Sequence, residues 1–239
     1  MTTAYVFDVD GTLTPSRQKI TPEFYDFFLA FAQKNEVFLV SGSDYIKTVE
    51  QLGGEIVAAC KRIYSCSGNS IWENGVEVYA SPWTLPQAAQ NHLVDVLHSS
   101  HCPTKTGRHF EHRPGAVNFS TVGRNANLEQ RAEYVAFDHA TGERAQIVET
   151  FNRCFGSKLD CVAHIGGETG VDITQTGCDK SQILRDFVGR PVRFFGDRCE
   201  PGGNDYPLAH AIELRGFPGD QVEAVTGWQD TMNRLTCAH

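Results

Sequence analysis

Four apolar residues without alternation, Ala4-Tyr5-Val6-Phe7, run straight into Asp8-Val9-Asp10-Gly11-Thr12, and this junction constrains the fold more than any other stretch of the chain. A continuous apolar run is expected of a central strand in a parallel sheet, covered on both faces by helices. Gly11 supplies the turn that ends it. Open parallel sheets bind ligands beyond the carboxyl ends of their strands, so Asp8 and Asp10 are expected in the crevice. Two carboxylates this close repel each other, which calls for a bound cation or a raised pKa on one of them. Mg²⁺ answers that need, because it takes carboxylate, carbonyl and phosphate oxygens. A carboxylate can itself be the nucleophile, giving an aspartyl-phosphate, while its neighbour moves protons. Phosphoryl transfer is the chemistry this predicts. A Ca²⁺ loop of the EF-hand type does not fit: its glycine would come sixth, and the twelfth position counted from Asp8 is Lys19 rather than Glu.

The first strand is followed by a rhythm that suits such a sheet. Thr21-Pro22-Glu23 opens a helix, cap then proline, with Phe24, Phe27, Phe28 and Phe31 as its apolar stripe. Val37 to Val40 read as a second strand, Ser41-Gly42-Ser43 as a turn, Asp44 to Leu52 as a helix and Arg62 to Cys66 as a third strand. This is a βαβαβ pattern, hence a doubly wound parallel sheet of Rossmann-like type. From about Pro82 the rhythm changes to α+β. A helix is predicted near Gln87 to His98, then a hairpin with arms His109 to His112 and Ala116 to Val122 around Arg113-Pro114-Gly115. Helices near Glu129 to Phe137 and Glu143 to Phe155 come next, then strands near Cys161 to Ile165 and Gly170 to Ile173. Strand character of the first kind returns at Val192 to Phe195, ending in Gly196-Asp197, and Pro201-Gly202-Gly203-Asn204-Asp205 leads towards a further helix. The expected organisation is a discontinuous α/β core, residues 1–81 and 181–239, with an inserted α+β cap domain at 82–180.

Bulk properties narrow the partners. The net charge of −8 argues against a nucleic-acid or membrane-surface footprint. No apolar run approaches the roughly 20 residues of a membrane span, and the start Met1-Thr2-Thr3 lacks a basic segment followed by an apolar one, so a cytoplasmic location is expected. The 8 cysteines are scattered and form no Cys-x-x-Cys pair, which reads as free thiols rather than a disulfide framework or a zinc site. His109 and His112 flank a strand end, where a surface role is expected rather than metal ligation.

Acidic and basic features recur at strand ends of the expected core. Asp8 and Asp10 come first; Ser41 and Ser43 offer hydroxyls and backbone N–H groups at a helix N-terminus, suited to phosphate oxygens. Lys180 begins the return to the core, and Asp197 and Asp205 complete an acidic cup. In this order the chain resembles the haloacid dehalogenase superfamily, and over nearly its whole length the eukaryotic-type phosphomannomutases with a type IIB cap. The resemblance is carried by Phe7-Asp8-Val9-Asp10-Gly11-Thr12-Leu13-Thr14, continuing through Arg17 to Thr21, by Ser43-Asp44 with Glu50-Gln51-Leu52-Gly53, by Asp179-Lys180, and by Phe194 to Asp197 with Pro201 to Asp205.

It implies that Asp8 is the nucleophile, Asp10 the general acid/base and Lys180 the charge that steadies the phosphoaspartyl group. It further implies Mg²⁺ held by Asp8, by Asp10 through its carbonyl and by Asp197, with Asp205 in the same acidic cup. Arg17, Arg113, Arg124 and Arg131 match positions that grip the far end of a sugar phosphate; guanidinium forks suit phosphate, and several around one pocket are costly to assemble without an anion. Asn118 and Asp172 match positions that touch substrate. The expected activity is interconversion of mannose 1-phosphate and mannose 6-phosphate through a hexose bisphosphate, with hexose 1,6-bisphosphate as activator and a homodimer formed through the cap. Two departures keep a sugar-phosphate phosphatase open as the alternative: Gly170 stands where the family usually has serine, and Ser41 where the mutases commonly have glycine.

Overall fold

The computed structural model describes residues 2–237. In chain order its opening elements are β1 (Ala4–Phe7), α1 (Pro22–Lys34), β2 (Val37–Val40), α2 (Tyr45–Leu52), α3 (Gly54–Ala59), β3 (Arg62–Ser65), β4 (Ser70–Glu73) and β5 (Val76–Ala80). There follow α4 (Gln87–Ser99), β6 (Phe110–Arg113), β7 (Ala116–Phe119), α5 (Leu128–Thr141), α6 (Glu143–Phe151), α7 (Ser157–Leu159), β8 (Cys161–Gly166) and β9 (Gly170–Gln175). The chain closes with a 3₁₀ segment at Lys180–Phe187, β10 (Val192–Gly196), α8 (Tyr206–Arg215), β11 (Gln221–Ala224) and α9 (Trp228–Thr236). These elements form two compact units, one built from residues up to Ala80 and from Gly177 onward, the other from Ser81–Thr176.

The first unit is a 7-stranded sheet in the order β11-β10-β1-β2-β3-β4-β5. Its strands from β11 to β3 are parallel, and β4 and β5 add an antiparallel edge. The unbroken apolar runs are explained by cover on both faces. Ala4 and Val6 point into a cluster with Phe38, Val40, Phe187, Phe194 and Leu208. Phe7 points the other way, with Leu39 and Phe195, into the cluster of Phe24, Phe28 and Phe31 from α1. Phe7 meets Phe28 edge-on at 5.1 Å and stacks on Phe195 at 4.7 Å. With β1 fixed between β10 and β2, the residues after Phe7 emerge at the centre of the sheet's carboxyl edge.

The second unit is an antiparallel sheet, β6-β7-β9-β8, in which polarity does alternate. Val117, Phe119, Val171, Ile173, Cys161 and Ala163 face a core shared with Ala89 and Leu93 of α4 and Ile147 and Phe151 of α6. The alternate positions form the opposite, polar face, where the register sets Glu111 opposite Asn118, Asn118 opposite Asp172, and Asp172 opposite His164. The helix expected from Glu143 to Phe155 is α-helical only to Phe151 and continues as a π turn over Asn152–Gly156. Helix α3, the β4–β5 hairpin, β11 and α9 are additional to the elements read from sequence. Among the described residues no helix is long and apolar enough to cross a membrane.

Candidate active site

Asp8 follows β1 directly, is 2% exposed, and is anchored through its backbone N–H to Phe195 O at 2.9 Å. Lys180, 1% exposed, donates from Nζ to Asp8 Oδ1 at 2.6 Å and to Asp205 Oδ1 at 2.6 Å. Asp205, fully buried at the N-terminus of α8, also accepts from the backbone N–H of Arg198 at 3.1 Å. Carboxylate oxygens of Asp8, Asp197 and Asp205 all lie within 4.8 Å of one another. Burial pushes the Asp8 carboxyl up to about 7; Lys180 opposes this, and Asp205 and Asp197 reinforce it. Asp197 is raised to about 6, again by burial first and then by Asp205. Burial pulls the Lys180 ammonium down, but the two carboxylates it bridges outweigh this and hold it above its ordinary value.

Three carboxylates against one ammonium leave an excess of two negative charges if all ionise, which is the charge of one divalent cation. Two further features fit such an ion. Asp8 Oδ2 is buried with no hydrogen-bond partner. Gly11, at φ +83°, has no side chain at a point where a Cβ would overlap Asp197 Oδ2. An all-oxygen donor set of this kind suits a hard cation such as Mg²⁺.

Asp10 is oriented differently. The chain leaves strand geometry after Phe7, and Val9 O accepts from Thr12, Leu13 and Thr14 N–H groups, which swings Asp10 out of line with Asp8. Its Oδ1 accepts from the Arg17 backbone N–H at 2.6 Å and from Gln51 Nε2 at 2.9 Å. The like charges that burden Asp8 are therefore Asp205 and Asp197, rather than the Asp10 that sequence proximity points to. Gln51 is a functional candidate that sequence reasoning left without a role; it lies in the Glu50-Gln51-Leu52-Gly53 match and also donates to Gln18 O at 3.2 Å. Arg17 is exposed and sits at φ +60°. Ser41 is buried after β2, its Oγ accepting from the Ser43 N–H at 3.0 Å, and Asp44 caps α2 by accepting from the Lys47 N–H at 2.8 Å.

The other expected contacts lie on the polar face of the second unit. Arg113 donates to Glu111 Oε1 from Nε at 3.0 Å and Nη2 at 2.6 Å, while Arg124 Nε meets Glu111 Oε2 at 2.5 Å. Burial would raise the Glu111 carboxyl, and the two guanidinium groups outweigh it, holding the group below the usual carboxylate range. Glu111 thus occupies the place an anion would take between two arginines, and sequence reasoning passed over it although its alternation with Arg113 puts both on one strand face. Arg131 pairs instead with Glu168 at 3.1 Å. Asn118 Nδ2 donates to Asp172 Oδ1 at 2.6 Å, and a Cβ at Gly170 would stand 2.5 Å from that amide nitrogen, so the absent side chain at 170 is what leaves the pair its room.

Comparison with known proteins gives these groups a context. Residues 24–236 match the model of the eukaryotic phosphomannomutases. A probable phosphomannomutase of Caenorhabditis elegans is 34% identical over 218 residues, 86% of this chain and 85% of the relative. Phosphomannomutase 1 of Homo sapiens is 33% identical, covering 96% of this chain and 89% of the human protein. Among solved structures, the C-terminal domain of Candida albicans (C. albicans) trehalose-6-phosphate phosphatase superposes with TM-score 0.66 at 14% identity, covering 99% of this chain and 91% of that one. A haloacid dehalogenase-like hydrolase of Bacteroides thetaiotaomicron superposes with TM-score 0.63 at 14% identity, covering 98% and 100%. At such identities the two superpositions establish the fold, and the sequence matches establish the lineage: this chain is an enzyme of the eukaryotic phosphomannomutase family.

Proposed function

We propose that this enzyme interconverts mannose 1-phosphate and mannose 6-phosphate, and that Asp8 carries the phosphoryl group between them. The observation that supports this most is the buried Asp8–Lys180–Asp205 chain, in which one carboxylate is left with an unshared oxygen, Oδ2, at the carboxyl edge of the sheet. Asp8 as an acceptor needs its charge tempered but not removed, and Lys180 at 2.6 Å does this without reaching Oδ2. Phospho-Asp8 donates to the free hydroxyl of the hexose monophosphate, the bisphosphate turns end for end, and Asp8 recovers the other phosphate. Asp10 takes and returns the hydroxyl proton, its carboxylate aimed by Arg17 N–H and Gln51. Ser41 and Ser43 seat phosphoryl oxygens at the start of α2. Asp8, Asp197, Asp205 and the Asp10 carbonyl would hold Mg²⁺, which would supply charge neutralisation for the transferred group. Hexose 1,6-bisphosphate serves as activator by phosphorylating Asp8.

In this reading residues 82–180 act as a cap. Arg17, Arg113, Arg124 and Arg131 take the distal phosphate, which displaces Glu111 from its two arginines, and Asn118 and Asp172 read sugar hydroxyls beside Gly170. Water must be kept from phospho-Asp8 for transfer to prevail over hydrolysis. We place the enzyme in the cytosol as a homodimer formed through the caps. The deciding experiment incubates the enzyme with mannose 1-phosphate, Mg²⁺ and a trace of glucose 1,6-bisphosphate, then assays both mannose 6-phosphate and inorganic phosphate. Mannose 6-phosphate as the main product is expected. Stoichiometric free phosphate would instead identify a sugar-phosphate phosphatase.

A further inference from the structure

The strand next to the Ser41–Ser43 turn ends in a backbone conformation that side chains disfavour. After β3 the chain places Cys66 at φ +50°, Ser67 at φ +59° and Gly68 at φ +93°, three consecutive left-handed residues of which two carry side chains. Side chains disfavour this region, and glycine would occupy it without that cost. The turn is held there from several sides. Cys66 N–H donates to Ser43 O at 2.9 Å and Ser67 N–H to Ser41 O at 2.8 Å. Gln182 Nε2 donates to Ser67 O at 2.9 Å, and the buried Asn69 amide ties Cys66 O to Cys178 O. The strain is thus fixed onto the backbone of the phosphate-seating turn and onto the segment that carries Lys180.

The Ser67 side chain explains why glycine does not stand there. It is half-buried, and its Oγ lies 4.0 Å from the point where a Cβ on Gly42 would stand, over the middle of the Ser41–Gly42–Ser43 turn. No described residue bonds that hydroxyl. Ser65, which opens the turn, is fully buried with an Oγ that also lacks a partner. Strained non-glycine residues that persist under such restraint cluster at active sites and ligand clamps. We infer that Ser67 contacts the hydroxyl-bearing body of the phosphate ester on the β3 side of the Ser41–Ser43 turn, as a substrate-specificity residue. The β3 end lies two strand spacings from Asp8, roughly 10 Å, so Ser67 reads the alcohol portion of the ester rather than the phosphoryl group in flight.

This inference rests on the reading of Ser41 to Ser43 as the phosphate seat, and its test separates the two. Ser67→Ala and Ser67→Gly are assayed for KM and kcat with mannose 1-phosphate and with p-nitrophenyl phosphate, which has no hydroxyl, and for thermal stability. Both variants are expected to raise KM for mannose 1-phosphate about tenfold while leaving that for p-nitrophenyl phosphate unchanged. Ser67→Gly is expected to raise Tm as well, by about 2–4 °C, because it relieves the left-handed strain. Affinity and stability then move in opposite directions, which a purely structural serine would not produce. A Ser67→Gly enzyme with higher Tm and the parent KM overturns the assignment, as does an equal rise in KM for both esters. If the parent enzyme releases only inorganic phosphate from mannose 1-phosphate, the mutase reading fails, and the same KM comparison still decides the role of Ser67.

Discussion

The two units each hold a cluster of acids and bases, and the two clusters differ in the property that decides what a charge can do. In the first unit Lys180 sits between Asp8 and Asp205 with side-chain exposures of 1%, 3% and 0%. In the second, Arg113 and Arg124 fork onto Glu111 with exposures of 27% to 30%. A buried pair is fixed by desolvation: neither partner can leave without stranding the other. A half-exposed pair is worth little and is replaced by a better anion at small cost. The buried cluster is therefore suited to chemistry that needs groups set in advance, and the half-exposed one to gripping and releasing a phosphate.

The largest expected effect tests the first half of that contrast. Asp8→Asn should abolish turnover, a loss of at least about 10⁴-fold of the kind seen when an essential catalytic group is removed, while circular dichroism shows the fold retained. Retained activity in a clean Asp8→Asn preparation would break the account at its root. Lys180→Met should act on stability as well as rate. It strands two buried carboxylates, so a loss of about 3–5 kcal/mol is expected from urea denaturation. A loss below about 1 kcal/mol would show that the site is wetter than its burial indicates.

The second cluster should respond in the opposite pattern. Arg124→Ala is expected to raise KM about 10- to 100-fold, the worth of a charge-assisted phosphate contact, with stability altered by less than about 1 kcal/mol. A large loss of stability with little change in KM would reverse the roles assigned to the two clusters. The smallest effect is in pH. The raised carboxyls of Asp8, to about 7, and Asp197, to about 6, mean that the cation-free folded state binds more protons than the unfolded chain between pH 4 and 7. Without Mg²⁺ their contribution to stability is present at pH 4 and is lost as pH rises through 7. Saturating Mg²⁺ should flatten that dependence, and the apparent Mg²⁺ affinity should climb from pH 5.5 to 7.5 and then level. Denaturation curves in EDTA and in Mg²⁺ across that range provide the check.

What the sequence discloses follows from how local each cause is. The β1 strand and the position of Asp8 are legible because burial on both faces leaves an unbroken apolar run, and because the strand's end is written in the next residues. The Lys180 contacts are not local: its two partners are 172 and 25 positions away, so only the order of β1 and β10 in the sheet brings them together. The raised Asp8 carboxyl expected beside a second acid is present, but its main causes are not local: burial comes first, and the like charges are those of Asp205 and Asp197. The β4–β5 hairpin also has a local signature. Asn74-Gly75, at φ +50° and +77°, is the dipeptide that favours a tight turn between paired strands, and Ser70 to Glu73 and Val76 to Ala80 flank it. Glu111 and Ser67 were hidden more deeply: one is an acid among arginines, the other a serine with an ordinary side chain on an unusual backbone.

The central claim is that Asp8 takes the phosphoryl group covalently and passes it to sugar. It is tested most directly by quenching the enzyme in acid during turnover of glucose 1,6-bisphosphate with mannose 1-phosphate and mapping the labelled peptide by mass spectrometry. The expected result is an acyl phosphate on the peptide carrying Asp8, absent from Asp8→Asn and discharged by mannose 1-phosphate faster than by water. Formation of mannose 6-phosphate with no covalent label on Asp8, or with the label on another residue, would contradict it.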